Sequence, residues 1–179
     1  MDITKLLTNV KKLDKVLQNT QDYRTQWETS HKNMITLTLE QLITDAGIQG
    51  EVVINDNYEG LEAISLALQT KDSGIYERIS DKTKRALIRN GGVLTYHQLF
   101  NGKIGILIGY PYIEGIGQPK MPKTIEIVRP EELKEIHVLR HVEMFMDEIA
   151  EWEDFDDDKD ATHTIGFHRT ATISNPEES

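Results

Sequence analysis

The stretch VLTYHQLFNGKIGILIGY, residues 93–110, decides the fold. Two runs rich in β-branched and aromatic residues flank Asn101-Gly102, a dipeptide that closes two-residue type I′ hairpins because both residues tolerate positive φ. With that loop, Phe100 faces Lys103, Leu99 faces Ile104, His97 faces Ile106, Thr95 faces Ile108 and Val93 faces Tyr110. Side chains alternate along a strand. The expected core face is therefore Val93, Thr95, His97, Leu99, Ile104, Ile106, Ile108 and Tyr110, with Leu94, Tyr96, Gln98, Gly105, Leu107 and Gly109 on the other. His97 is expected to be buried and hydrogen-bonded, as buried polar groups are. The second face is apolar enough to suggest a partner or self-association surface.

Downstream of the hairpin, YPYIEGIGQPKMPK reads as a Gly/Pro-rich loop, residues 124–128 as one more strand, and residues 130–155 as a helix opened by Pro130 with Glu131, Glu132 and Glu135 in its first turns. Upstream, residues 51–54 and 61–69 read as strands separated by Asn55, Asp56, Asn57 and Gly60. In the second of these, Ile64, Leu66 and Leu68 would face the core and Ala63, Ser65 and Ala67 would form a small-residue face. Residues 81–89 read as a short basic helix, capped by Ser80 or Asp81 and stopped by Asn90, Gly91 and Gly92.

The N-terminal segment has neither Gly nor Pro from Asp2 to Ala46. Ile3, Leu6, Leu7, Val10, Leu13, Val16 and Leu17 recur at helical spacing. Leu6, Val10, Leu13 and Leu17 follow a heptad, which Leu7 and Val16 widen. The pattern lapses at residues 19–22 and resumes with Met34, Ile35, Leu39, Leu42, Ile43 and Ala46 before Gly47, so the segment is either one long helix or a hairpin of two.

These elements imply an α+β fold: a mainly antiparallel sheet of about five strands packed by the N-terminal helices and a C-terminal helix. No regular βαβ alternation is present. Residues 1–155 are expected to form a single domain, helical over 1–46, mainly sheet over 51–128 and helical over 130–155. Residues 156–179 are expected to be an acidic linker and tail, with a possible strand or docking peptide at 162–174.

The 179 residues contain no cysteine, which excludes disulfides, thiolate catalysis and cysteine-ligated metals. No membrane-spanning run or signal segment is recognised, and the expected location is the cytoplasm. Net charge is −10, which argues against nucleic acid as a partner. The charge is unevenly distributed, however: −4 over residues 1–70, +5 over 71–129 and −11 over 130–179. Lys82, Arg85 and Arg89 would share one face of the short helix and are the candidate polyanion-binding residues, covered or contested by the acidic run Glu151–Asp160.

On the last helix, His137, His141 and Glu148 fall in a line flanking an apolar face of Val138, Leu139, Val142, Phe145, Met146, Ile149, Ala150 and Trp152. Two histidines at i, i+4 can share a divalent metal, but the H-E-x-x-H arrangement is absent and no metal site is expected. His163 and His168 with Asp156, Asp157 and Asp158 lack the spacing of a calcium loop. Phosphate-loop, dinucleotide and nucleophile-elbow motifs are missing, and no cofactor is expected. The reading that follows is a noncatalytic binding or adaptor protein, self-associating through helical and sheet-face surfaces, with a protein partner or a second copy as ligand. The alternative is a small enzyme or ligand-sensing domain. Its pocket would lie around His97, Tyr96, Tyr110 and Tyr112 and the loop from Tyr110 to Gly117.

Overall fold

A computed structural model describes residues 2–154. The linker and tail at 156–179, with His163, His168 and the aspartates before them, lie outside the described residues. The chain forms an α+β fold built on two antiparallel sheets. The N-terminal segment is one continuous helical rod: α1 (Thr4–Gln26), a π-helical turn (Trp27–His31) and α2 (Lys32–Ala46), closed by Gly47 in the left-handed region. The lapse at residues 19–22 is thus not a turn. With no Gly or Pro to break it, the backbone ladder runs through.

The main sheet has the order β1-β2-β5-β6-β8, comprising β1 (Gly50–Asn55), β2 (Ala63–Leu68), β5 (Val93–Gln98), β6 (Ile104–Gly109) and β8 (Lys123–Val128). The second sheet has the order β3-β4-β7, comprising β3 (Lys71–Arg78), β4 (Lys84–Asn90) and β7 (Tyr112–Ile113). Pro130–Glu132 form a 3-10 turn, and α3 follows over Glu135–Glu153. Residues 81–89 are therefore not a helix. Lys84–Asn90 pairs with β3 as a strand, because β3 and β4 continue the β2/β5 ladder outward. One register runs from Ala63↔His97 through the Leu68 N–H donating to Gly92 O at 2.9 Å to Lys71↔Arg89 and Asp72↔Ile88. Pairing over that length outweighs the local helical preference.

The hairpin at 93–110 exists, but one residue out of the expected register. Gln98 faces Ile104, Tyr96 faces Ile106 and Leu94 faces Ile108. The loop is Phe100-Asn101-Gly102, with Gly102 N–H donating to Leu99 O and Leu99 N–H to Lys103 O, both at 2.8 Å. Gly102 has φ +75°, so the connection is a type I turn followed by a left-handed bulge residue, the usual three-residue hairpin loop. A one-residue slip turns every side chain of one strand to the opposite face. Leu94 and Tyr96 go into the core in place of Thr95 and His97, and that apolar gain favours the register. It also carries in Gln98, which is 2% exposed with neither amide atom bonded to a described residue.

Both α2 and α3 lie on one face of the main sheet, α2 over β1 and β2 and α3 over β5, in contact with each other. The core between them joins Trp27, Ile35 and Leu39 to Ile64, Leu66, Leu94, Tyr96, Ile104, Ile106 and Ile108, and to Val138, Val142, Phe145 and Ile149 of α3. Each large side chain buried this way contributes about 1.5–3 kcal/mol. By contrast, α1 contains no buried residue. It touches the body at its last turns, where Arg24 Nη2 donates to Phe100 O at 2.9 Å and Gly102 sits against Thr20 O and Tyr23 Cβ.

Two outcomes test the hairpin register. Gln98→Met keeps the volume and removes an unpaired buried amide, so it should raise unfolding stability by about 1–3 kcal/mol in urea titrations. Gly102→Ala should lower it by roughly 1–3 kcal/mol, since alanine is strained at that φ and its Cβ would lie 2.8 Å from Thr20 O.

Candidate interaction surfaces

The first candidate surface is α1 itself. At about 100° per residue, Leu6, Val10, Leu13 and Leu17 form one stripe about 60° wide, flanked by Leu7 and Val16, with Ile3 at the N-cap just ahead of it. All seven are between 47% and 60% exposed, which is what a helix leaves open when nothing covers it. Lys5, Lys11, Lys12 and Lys15 all fall on the opposite side and are exposed. The helix is therefore amphipathic, with its apolar face turned to no other element among the described residues. The π turn marks where the rod passes from free to anchored. It holds one residue more per turn than an α-helix would, so the face presented beyond it is rotated by about 100°. Trp27 at its start is fully buried and donates its indole N–H to Glu62 Oε2 at 3.2 Å, while Lys32 Nζ reaches the same oxygen at 2.6 Å. Burial pushes the Glu62 carboxyl up, but Lys32 and Trp27 outweigh burial and hold it below its ordinary value. The charged carboxylate is thus the anchor of the rod.

The second surface is the face of the main sheet opposite the helices. It presents Ala63, Ser65 and Ala67, then Val93, Thr95 and His97, then Leu107, all partly exposed, with Val53 and Ile127 at 43% and 56%. Ser65 and Thr95 hydroxyls are bonded at 2.9 Å. The imidazole of His97 lies across Gly105, where a Cβ would meet Nε2 at 2.4 Å. His97 is therefore partly exposed on the open face and not in the core, a correction that follows from the register. Its partial burial lowers its pKa.

The remaining ligand candidates are dispersed. Tyr96 is fully buried in the core, Tyr110 is 7% exposed with its hydroxyl donating to Glu148 Oε2 at 2.6 Å, and Tyr112 is 39% exposed on β7. Tyr96 and His97, adjacent on β5, point to opposite faces of the sheet. The cleft of about 420 Å³ between the π turn and the start of α3 is lined by Ser30, His31, Met34, Leu133, Lys134, Glu135 and Ile136, and by none of the four. Lys82, Arg85 and Arg89 do not share a helix face. Lys82 lies in the exposed β3–β4 turn, Arg85 pairs with Glu77 at 2.9 Å, and Arg89 pairs with Glu153 and lies over the Trp152 ring. Glu153 belongs to the acidic run, and Arg89 remains partly exposed beside it.

Two polar clusters not visible in the spacing hold α3 to the sheet. Glu148 takes Tyr110 and Lys123, which lower its pKa against the upward push of burial. His141 is fully buried, not a boundary residue: its Nε2–H donates to Glu126 Oε1 at 2.7 Å and its Nδ1 accepts from the Tyr96 hydroxyl at 3.1 Å. Both ring nitrogens are occupied, and His137 Nδ1 accepts from Lys134 N–H at 3.2 Å. Among the described residues no group of three or more His, Cys, Asp or Glu is placed to hold a metal, and no helix is long and apolar enough to cross a membrane. No known protein family, curated protein or solved structure matches the chain.

Desolvation of the buried ring outweighs Glu126 and keeps the His141 pKa below its ordinary value, so the imidazole is neutral in the fold. The unfolded chain takes up the proton first as pH falls through about 6.5, so His141 removes stability below that pH and none above it. Urea midpoints between pH 7.5 and 5.5 should fall for the native chain, by at most about 1.4 kcal/mol per pH unit from this group. His141→Gln, though less stable throughout, should show a shallower decline.

Proposed function

We propose that the protein is a noncatalytic interaction protein that self-associates through α1 and carries its α+β body on that assembly. The observation behind this reading is the apolar stripe of a 23-residue helix in which no residue is buried. Burying the exposed half of five such side chains is worth about 1 kcal/mol each. Two copies together gain roughly 10 kcal/mol, against about 4–15 kcal/mol for the loss of translational and rotational freedom. The balance describes an association that depends on concentration and on every seam residue. The stripe is made of Leu, Val and Ile, without the Trp or Phe that anchors helices lying on membranes, and this favours a helical partner.

The alternative, a ligand pocket around His97 and the loop from Tyr110 to Gly117, has less support, because its four expected side chains point into different environments. A noncatalytic reading also accords with the polar clusters, whose titratable groups are each engaged in holding α3 to the sheet.

Light scattering across the micromolar range tests the proposal. The native chain should give a multiple of 20.5 kDa, and Leu6→Glu/Leu13→Glu should give the single-chain mass with an unchanged near-ultraviolet dichroism spectrum, because neither residue contributes to the core. A native chain that stays at the single-chain mass throughout, or a double variant that associates as well as the native chain, overturns it.

A further inference from the structure

We infer that α1 pairs with α1 of a second copy, parallel and in register, as a two-stranded coiled coil with Ile3, Val10 and Leu17 at the a positions and Leu6 and Leu13 at the d positions. This rests on the self-association reading and adds partner orientation and number to it.

The identity of the seam residues is the first argument. β-Branched residues at a with leucine at d favour two parallel strands, and two of the three a residues here are Ile and Val while both d residues are Leu. The second argument is how the layers match. In the parallel in-register pair each of the five seam residues meets its own copy, giving five apolar layers. An antiparallel pair must set a against d, and its best alignment puts Leu6 on Leu17 and Val10 on Leu13 but leaves Ile3 against Thr20. Sliding it one heptad either way strands Leu17, or sets Leu6 against Arg24 and Ile3 against Trp27, which is already buried in the body.

Between Ile3 and Leu17 the positions flanking the seam carry no obstacle, and the pairing stops short of the later seam positions Arg24, bonded to Phe100 O, and Trp27, buried in the body. Positions e and g from residue 7 to residue 23 are Leu7, Asn9, Asp14, Val16, Gln21 and Tyr23, with one charge among them, so no like-charged pair forms between copies. The four lysines lie on the outer side. Seven half-exposed aliphatic residues present roughly 600–700 Å² per copy, close to the ~800 Å² per partner of a standard interface. The seam ends where the body begins: the loop at Phe100–Gly102 meets α1 at Thr20 and Tyr23, on the flank of the stripe, leaving it open from Ile3 to Leu17. A free rod of about 17 residues spans ~25 Å, and in the parallel pair both bodies sit at the same end of it.

The absence of cysteine makes single-thiol cross-linking of the full chain unambiguous. Thr20 is the next d position below Leu17, so Thr20→Cys should join to itself through a short bismaleimide in high yield, while Asp22→Cys, on the outer face, should not. Ile3→Cys mixed with Thr20→Cys should give self-joined products only. The native chain should scatter as two copies. A product joining position 3 to position 20 overturns the parallel arrangement, and a mass of three or four copies overturns the two-stranded one. A single-chain mass overturns the self-association reading itself. Single-chain protein that is taken up by anionic phosphatidylserine vesicles would show that the stripe serves a lipid surface instead.

Discussion

The three-residue loop at Phe100-Asn101-Gly102 is the constraint on which the rest of the structure depends. With one residue more than the expected turn, it is tied to the register in which the Leu94 and Tyr96 side of β5 meets the helices, among the isoleucines of β6. It also brings the Tyr96 hydroxyl to His141 and through it to Glu126, which ties α3 to β5 and β8. On its outer side the same loop braces α1, with Gly102 against Thr20 and Tyr23 and Phe100 O accepting from Arg24. Core composition, the seat of α3 and the departure point of the projecting helix therefore trace to one backbone geometry. That geometry is open to glycine at small cost and to a β-carbon only with strain.

A second constraint works with the first. The π turn at Trp27–His31 divides a continuous rod into an anchored half and an exposed half. Trp27 fills the core while its indole, with Lys32, satisfies the buried Glu62 carboxylate. Removing one member would leave a charge or a donor without its partner in a low-dielectric setting, where such losses are costly. Two apolar stripes of similar appearance have different fates because only the second half of the rod lies over the sheet. The stripe of α2 covers β1 and β2, and that of α1 faces outward.

Most titratable groups that looked chemically suggestive serve the packing of α3. His141 bridges two strands and Glu148 gathers Tyr110 and Lys123, while Arg89 rests on Trp152 and Glu153. These clusters were not legible because the residues in contact are between 15 and 64 positions apart in the chain, and no local spacing signals them. The helical period of α3 did place His141 at the edge of the apolar face. Only the strand that supplies Glu126 shows that the ring lies inside.

Period and composition by themselves determined the α+β class, the strands of the main sheet, the inward set of β2 and the apolar stripe of α1, since each depends only on which residues recur at 2.0 or 3.6. The stripe needed no structure to be seen, because amphipathicity is a property of the helix alone. Tertiary structure decided what covers each surface. It set the hairpin register, because Asn101-Gly102 suits both a two- and a three-residue loop and only the packing of Leu94 and Tyr96 under α3 distinguishes them. It turned residues 84–90 into a strand, because β3 supplies hydrogen-bond partners that a short basic helix lacks. And it left α1 bare, because the rod runs past the body ahead of Thr20, so that residues 4–18 are exposed on every face.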